Sequence, residues 1–176
     1  VLDLQGLPIY PGLIDSHCHF MSLGLSLQQV DLKGTQSFEE VVDRVKNFVK
    51  NKNLNAVMGR GWDQNDWEDQ SLPNKSVLDS LFPDIPVALR RIDGHALLVN
   101  QKALDLAGID GTTEVAGGAV VKEKGKLTGV LVDTPMKLVN AILPKPSKEK
   151  KIKALQDASK IAFENGLTTV SIAGVD

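Results

Sequence analysis

The sequence predicts an α/β fold, a partial (β/α) TIM barrel carrying the first barrel strands. Three observations lead there. Pro11-Gly12 is a turn signal, and the apolar pair Leu13-Ile14 after it opens a short strand. That strand delivers Asp15, His17 and His19 at spacing two, as a barrel strand presents ligands at its C-terminal end. The chain has 176 residues and opens on Val1, and its last stretch, Leu167 to Asp176, is strand-like with nothing after it to pack on. A complete barrel needs about 250 residues, so the chain reads as a fragment of a longer protein.

Taken in order, Val1 to Tyr10 alternates apolar residues around a turn at Gly6. Pro11 to Phe20 is the first strand, with Leu13 and Ile14 expected to be buried. Met21 to Val30 is apolar with glycine and serine, and forms a short helix or a loop over the strand end. Ser37 and Glu40 make a capping box, and Phe38, Val41, Val42, Val45, Phe48 and Val49 then recur at helical spacing. Ala56 to Gly59 is a strand running into Arg60-Gly61-Trp62-Asp63 and a polar loop through Trp67. Gly59 and Gly61 beside a tryptophan indicate backbone that something approaches closely. Residue types alone leave Trp62 open between a core anchor and a pocket wall.

Asn74 to Phe82 is a short helix stopped by Pro83, and Pro86 to Ile92 is a strand that delivers Asp93-Gly94-His95 at its end. Asn100 caps a helix of residues 101–107, with Gly108 at its C-terminal stop. Gly117 to Val132 is a hairpin turning at Glu123-Lys124-Gly125-Lys126. Thr134 caps the next helix, with Pro135 at its first position. After Pro144 and Pro146, Ser147 caps a long helix with Ile152, Leu155, Ala158, Ile161 and Ala162 on one side, and Gly166 closes it. The lysines between Lys145 and Lys153 are its solvated first turns.

Composition excludes several classes. Hydrophobic residues make up 42% and charged residues 24%, with a net charge of −2, which suits a soluble globular domain and gives no footprint for nucleic acid or an anionic membrane. No apolar run approaches the ~20 residues of a membrane span. The single cysteine, Cys18, forbids an internal disulfide and fits a reducing, cytoplasmic compartment. A signal peptide ahead of Val1 would have left no trace.

The chemistry sits in His17 and His19. A bare His-x-His is more often an unliganded pair, but two imidazoles on one face of a strand end can converge on one cation. At this point Pro11 to His19 resembles the first-strand signature of the amidohydrolase superfamily. Gly59 to Asp63, Arg91 to Ala96 with Asn100, Gly117-Gly118, and Gly166 to Val170 resemble its N-substituted formamide deformylase-like branch, in that branch's order. The resemblance implies a metal-dependent hydrolase of carbon–nitrogen bonds other than peptide bonds, with a divalent metal, zinc foremost, activating water. It implies a metal set of His17, His19 and Asp133, where the branch commonly has Glu. It places Trp62, Asp63, Asp93 and His95 at the substrate, and a general base with two further histidines beyond Asp176. Residues 1–10 would leave a β-sandwich domain, and residues 11–176 would be the first part of the barrel domain, with an insertion at about 36–143. A small-molecule substrate is the expected partner. The piece by itself is expected to be inactive and to hold metal weakly or not at all. Deaminase or lactonase chemistry, a non-catalytic binding module, and a self-associating fragment forming homo-oligomers are the competing readings.

Overall fold

The computed structural model describes residues 3–174. Val1, Leu2, Val175 and Asp176 lie outside the described residues, and with them the outer ends of the expected exit segment and last strand. In chain order the elements are β1 (Leu13–Cys18), α1 (Phe20–Ser26), β2 (Val30–Asp31), α2 (Phe38–Val49), β3 (Val57–Trp62), a 3-10 turn (Gln64–Asp66), α3 (Ser76–Leu81), β4 (Val87–Arg91), β5 (Ala96–Val99), α4 (Gln101–Ala107), β6 (Gly118–Glu123), β7 (Lys126–Asp133), α5 (Met136–Ile142), α6 (Lys148–Glu164) and β8 (Leu167–Ile172). They form two units, residues 1–28 with 146–176, and residues 29–145.

In the first unit, β1 pairs in parallel with β8, and α1 packs on α6. A Cβ on Gly24 would lie 2.0 Å from the Ala154 carbonyl oxygen, so only glycine permits this approach of the two helices. The buried stripe of α6 is Ala154, Ala158 and Ala162. Ala158 and Ala162 keep the expected face and Ile161 is half-buried, but Ile152 and Leu155 are partly exposed, because small side chains set the helix spacing. Leu13 and Ile14 are also exposed rather than buried, since β8 is the one strand paired with β1 among the described residues.

The second unit is a six-stranded mixed sheet in the order β2-β3-β4-β5-β7-β6. The first three strands run parallel, and the other pairings are antiparallel. Helix α2 starts at the predicted Ser37 cap, while Glu40 reaches one residue further back than a capping box requires. Ser37 Oγ accepts from Glu40 N at 3.2 Å, and the Glu40 carboxylate accepts from Gln36 N at 2.8 Å. Val41, Val42 and Val45 are buried in the core, each contributing on the order of 1.5–3 kcal/mol by transfer out of water. The 123–126 hairpin turns through Lys124 and Gly125, both at positive φ, as a two-residue turn between twisted strands requires.

Two strands went unpredicted. β2 has two residues, and β5 is a wholly buried apolar run of four, too short for any periodicity to register. The cap assigned to Thr134 is also corrected. Its hydroxyl donates to Gly117 O at 2.7 Å, tying the two hairpin strands, and Pro135 occupies the cap position.

Candidate functional site

Strand directions assemble one end of the six-stranded sheet. β3 and β4 are parallel. β5 runs against both β4 and β7, so β7 runs with β4. The C-terminal ends of β3, β4 and β7, and the start of β5, therefore share one edge. Edges of this kind, outside the carboxyl ends of parallel strands, are where α/β sheets bind ligands. Asp63, Arg91, Asp93, His95 and Asp133 gather there.

The turn from β4 to β5 organises the cluster. Gly94 N donates to Arg91 O at 3.0 Å and Gly94 takes a positive φ. Arg91 grips Asp93 with two prongs, Nε to Oδ1 at 3.1 Å and Nη2 to Oδ2 at 2.7 Å. This bond holds the Asp93 carboxyl below the usual carboxylate range and raises the Arg91 guanidinium. The negative charges of Asp63 and Asp133 add to the latter. Asp93 Oδ1 also accepts from His95 N at 3.0 Å. His95 Nδ1 lies 2.7 Å from Asp133 Oδ1. An ionised carboxylate only accepts, so Nδ1 carries the proton. The hydrogen bond to Asp133, then its charge, raises the His95 pKa above the ordinary imidazole value. Asp133 reaches this position in a left-handed backbone conformation, φ 55°, at the very end of β7.

The remaining expected residues fall differently. Asp63 caps the 3-10 turn, its Oδ1 accepting from Asn65 N at 3.0 Å and Asn65 Nδ2 at 2.8 Å. Trp62 is a core anchor: its ring is 0% exposed and its Nε1 donates to Leu89 O at 2.7 Å. The close approach signalled by Gly61 is made by the chain itself, since a Cβ there would meet Lys33 N at 2.7 Å. A cavity of about 530 Å³ opens instead beside Trp67 and Phe38, and none of the expected site residues lines it.

In the other unit, β1 ends at Cys18, and His19 sits at the N-cap position of α1. The pairing with β8 shifts between Asp15 and Cys18, so simple strand alternation does not carry through the motif. The two rings still meet: their centroids are 5.4 Å apart and the planes cross at 82°. Two imidazoles sharing a tetrahedral cation, each nitrogen about 2.1 Å from it, have centroids about 5.2 Å apart. The centroid separation in this chain is close to that value. Asp15 Oδ1 steadies it by accepting from His17 N at 3.0 Å. Among the described residues, no three His, Cys, Asp or Glu side chains converge as a metal set; the Asp133 carboxylate lies against His95.

Sequence reasoning gave no role to Arg60, Arg90 and Arg91, which brace the turn. Arg60 Nη2 donates to Ile92 O at 3.2 Å, and Arg90 reaches Gly94 O at 3.3 Å and Asn140 Oδ1 at 3.0 Å. The usable signal was Arg91 two residues before Asp93, across a turn closed by glycine.

A family profile described as "Amidohydrolase family" matches residues 1–176. Protein LONG AFTER FAR-RED 3 of Arabidopsis thaliana is 40% identical over 172 residues, 96% of this chain and 29% of that protein. N-substituted formamide deformylase of Arthrobacter pascens is 30% identical over 146 residues, 80% of this chain and 27% of that protein. The crystal structure of an uncharacterized metal-dependent hydrolase from Pyrococcus horikoshii superposes with a TM-score of 0.67 at 26% identity, covering 94% of this chain and 31% of that one. The chain spans under a third of the length of these relatives.

Proposed function

The chain belongs to the amidohydrolase family, and on that premise we propose that it is the first part of a metal-dependent hydrolase of carbon–nitrogen bonds, acting on amide- or formamide-type small molecules. The observation that carries the reading is the His17–His19 pair, whose ring separation of 5.4 Å suits joint ligation of one ion. Zinc is the proposed ion, since borderline cations favour paired imidazoles. When bound, such a metal supplies Lewis acidity and a water acidic enough to be hydroxide at neutral pH.

The chain's own residues hold and orient. His17 and His19 supply two ligands from the end of β1, read here as one stave of a (β/α) barrel with β8 as its parallel neighbour. Asp15 fixes the His17 backbone. In the other unit, the Arg91–Asp93 clamp and His95 form a substrate-facing group with Asp63 beside them. The relatives are about three times longer, so the remaining ligands and the general base are assigned to the rest of the protein, and this piece alone should be inactive.

Zinc titration followed by the His17 and His19 ring signals tests the assignment. Both are expected to shift together and weakly, and His17→Ala should abolish the shift of His19. Zinc binding that survives loss of both imidazoles overturns it. In a protein of the relatives' length, hydrolysis of an N-substituted formamide should be lost on chelation and in His19→Ala; activity untouched by either refutes the reading.

A further inference from the structure

We infer that Asp133 is the positioning residue of His95, holding that imidazole with Nε2 toward the substrate, and is not a metal ligand. Three polar groups of His95 are engaged. Its N–H donates to Asp93 Oδ1 at 3.0 Å, its carbonyl accepts from Asp133 N at 3.0 Å, and Nδ1 donates to Asp133 Oδ1 at 2.7 Å. Asp133 thus holds His95 by backbone and side chain at once. Asp93, the third grip, is itself locked by the two prongs of Arg91.

Stability does not account for this. The His95 and Asp133 side chains are 69% and 48% exposed, and exposed pairs add little to folding. Asp133 moreover takes φ 55°, a conformation that costs free energy in a residue with a Cβ. Strain held in place to immobilise a solvent-facing ring indicates that the ring's one free atom, Nε2, is what the arrangement serves. Nδ1 already takes Oδ1 of the Asp133 carboxylate. In the neutral imidazole, with the proton on Nδ1, Nε2 offers a lone pair, and its matching partner is an N–H donor. The amide N–H of an amide- or formamide-type substrate is such a donor, a step that rests on the hydrolase reading above.

The three histidines make the test direct. Nitrogen-15 spectra of the imidazoles in the 176-residue chain, recorded at alkaline pH where the rings are neutral, should show His95 in a single tautomer, protonated on Nδ1, without any variant being needed. Its Nδ1 proton should exchange about tenfold more slowly than in Asp133→Ala, which removes the acceptor, the factor being about that of one net hydrogen bond. Added zinc should move His17 and His19 and leave His95 unchanged. A His95 tautomer mixture like that of a free peptide overturns the inference, as does zinc displacing the Nδ1 proton. If zinc fails to move His17 and His19 while His95 stays locked, this inference stands, and the metal reading is decided by the chelation and His19→Ala results in the longer protein. In the longer protein, Asp133→Asn should keep its full metal content and raise KM as His95→Gln does; loss of metal in Asp133→Asn refutes the assignment.

Discussion

Replacing Asn100 by alanine should be among the most damaging single changes available in the second unit. Asn100 belongs to the same family-like stretch as Asp93 and His95, yet it is 0% exposed and binds only main chain. Its Oδ1 accepts from Val87 N at 3.0 Å and from Ala103 N at 3.1 Å. Its Nδ2 donates to Phe82 O at 2.7 Å and to Ile85 O at 2.9 Å. One side chain therefore caps α4, starts β4 and closes the turn between α3 and β4. Alanine leaves two backbone donors and two carbonyls without these partners. Each buried orphan costs on the order of 1–3 kcal/mol, and local relaxation offsets part of this, giving about 3–5 kcal/mol overall. For a chain of this size that lowers the Tm by roughly 10 °C or more. Urea unfolding followed by circular dichroism reads the first figure and calorimetry the second. Asn100→Asp sharpens the test. The introduced carboxylate would keep the two acceptor contacts but face two carbonyl oxygens with negative charge, which raises its pKa in the folded state. The folded state then binds more protons than the unfolded one, so this variant should gain stability as pH falls from 7 toward 4, down to the ordinary carboxylate range. An alanine variant within about 1 kcal/mol of wild type, or an aspartate variant indifferent to pH, would refute the reasoning.

Three further outcomes are expected. His95 should titrate by NMR above the ordinary value of about 6.5, because Asp133 and Asp93 favour its cation more than Arg91 opposes it. Its stabilising contribution is present below the unfolded pKa and fades as pH rises through the folded one, and Asp133→Asn should bring the midpoint down; an unchanged midpoint contradicts the geometry. Gly24→Ala drives a methyl into the Ala154 carbonyl, so thermal unfolding should show a loss of about 1–3 kcal/mol. Trp62→Phe removes the donor to buried Leu89 O and should cost about 1–3 kcal/mol in urea, whereas a neutral result would show that the indole NH is not the anchor.

What the sequence made legible divides along a physical line. Capping chemistry is local, so Ser37, Asn100, Gly108 and Ser147 marked helix ends that the structure keeps. The type of turn at Lys124-Gly125 is equally local. Burial is not. Leu13 and Ile14 read as a core strand because apolar residues usually find cover, but cover depends on how many neighbours a strand has. Helix α6 reads by its large residues and packs by its small ones, since Gly24 on the opposing helix decides which stripe can come close. The candidate site shows the same limit. Arg91, Asp93 and His95 lie within five residues, and the triplet Asp93-Gly94-His95 after a strand is visible without coordinates. The partner that orients His95 lies 38 residues away at the end of β7. Only the pairing of β5 with β7 brings Asp133 opposite His95, and β5 is too short and too evenly apolar to announce itself. Read in one dimension, Asp133 offers no sign of a tie to His95. In three dimensions its N–H and its Oδ1 both bond His95, so the strand that sequence could not detect is the one that sets these contacts.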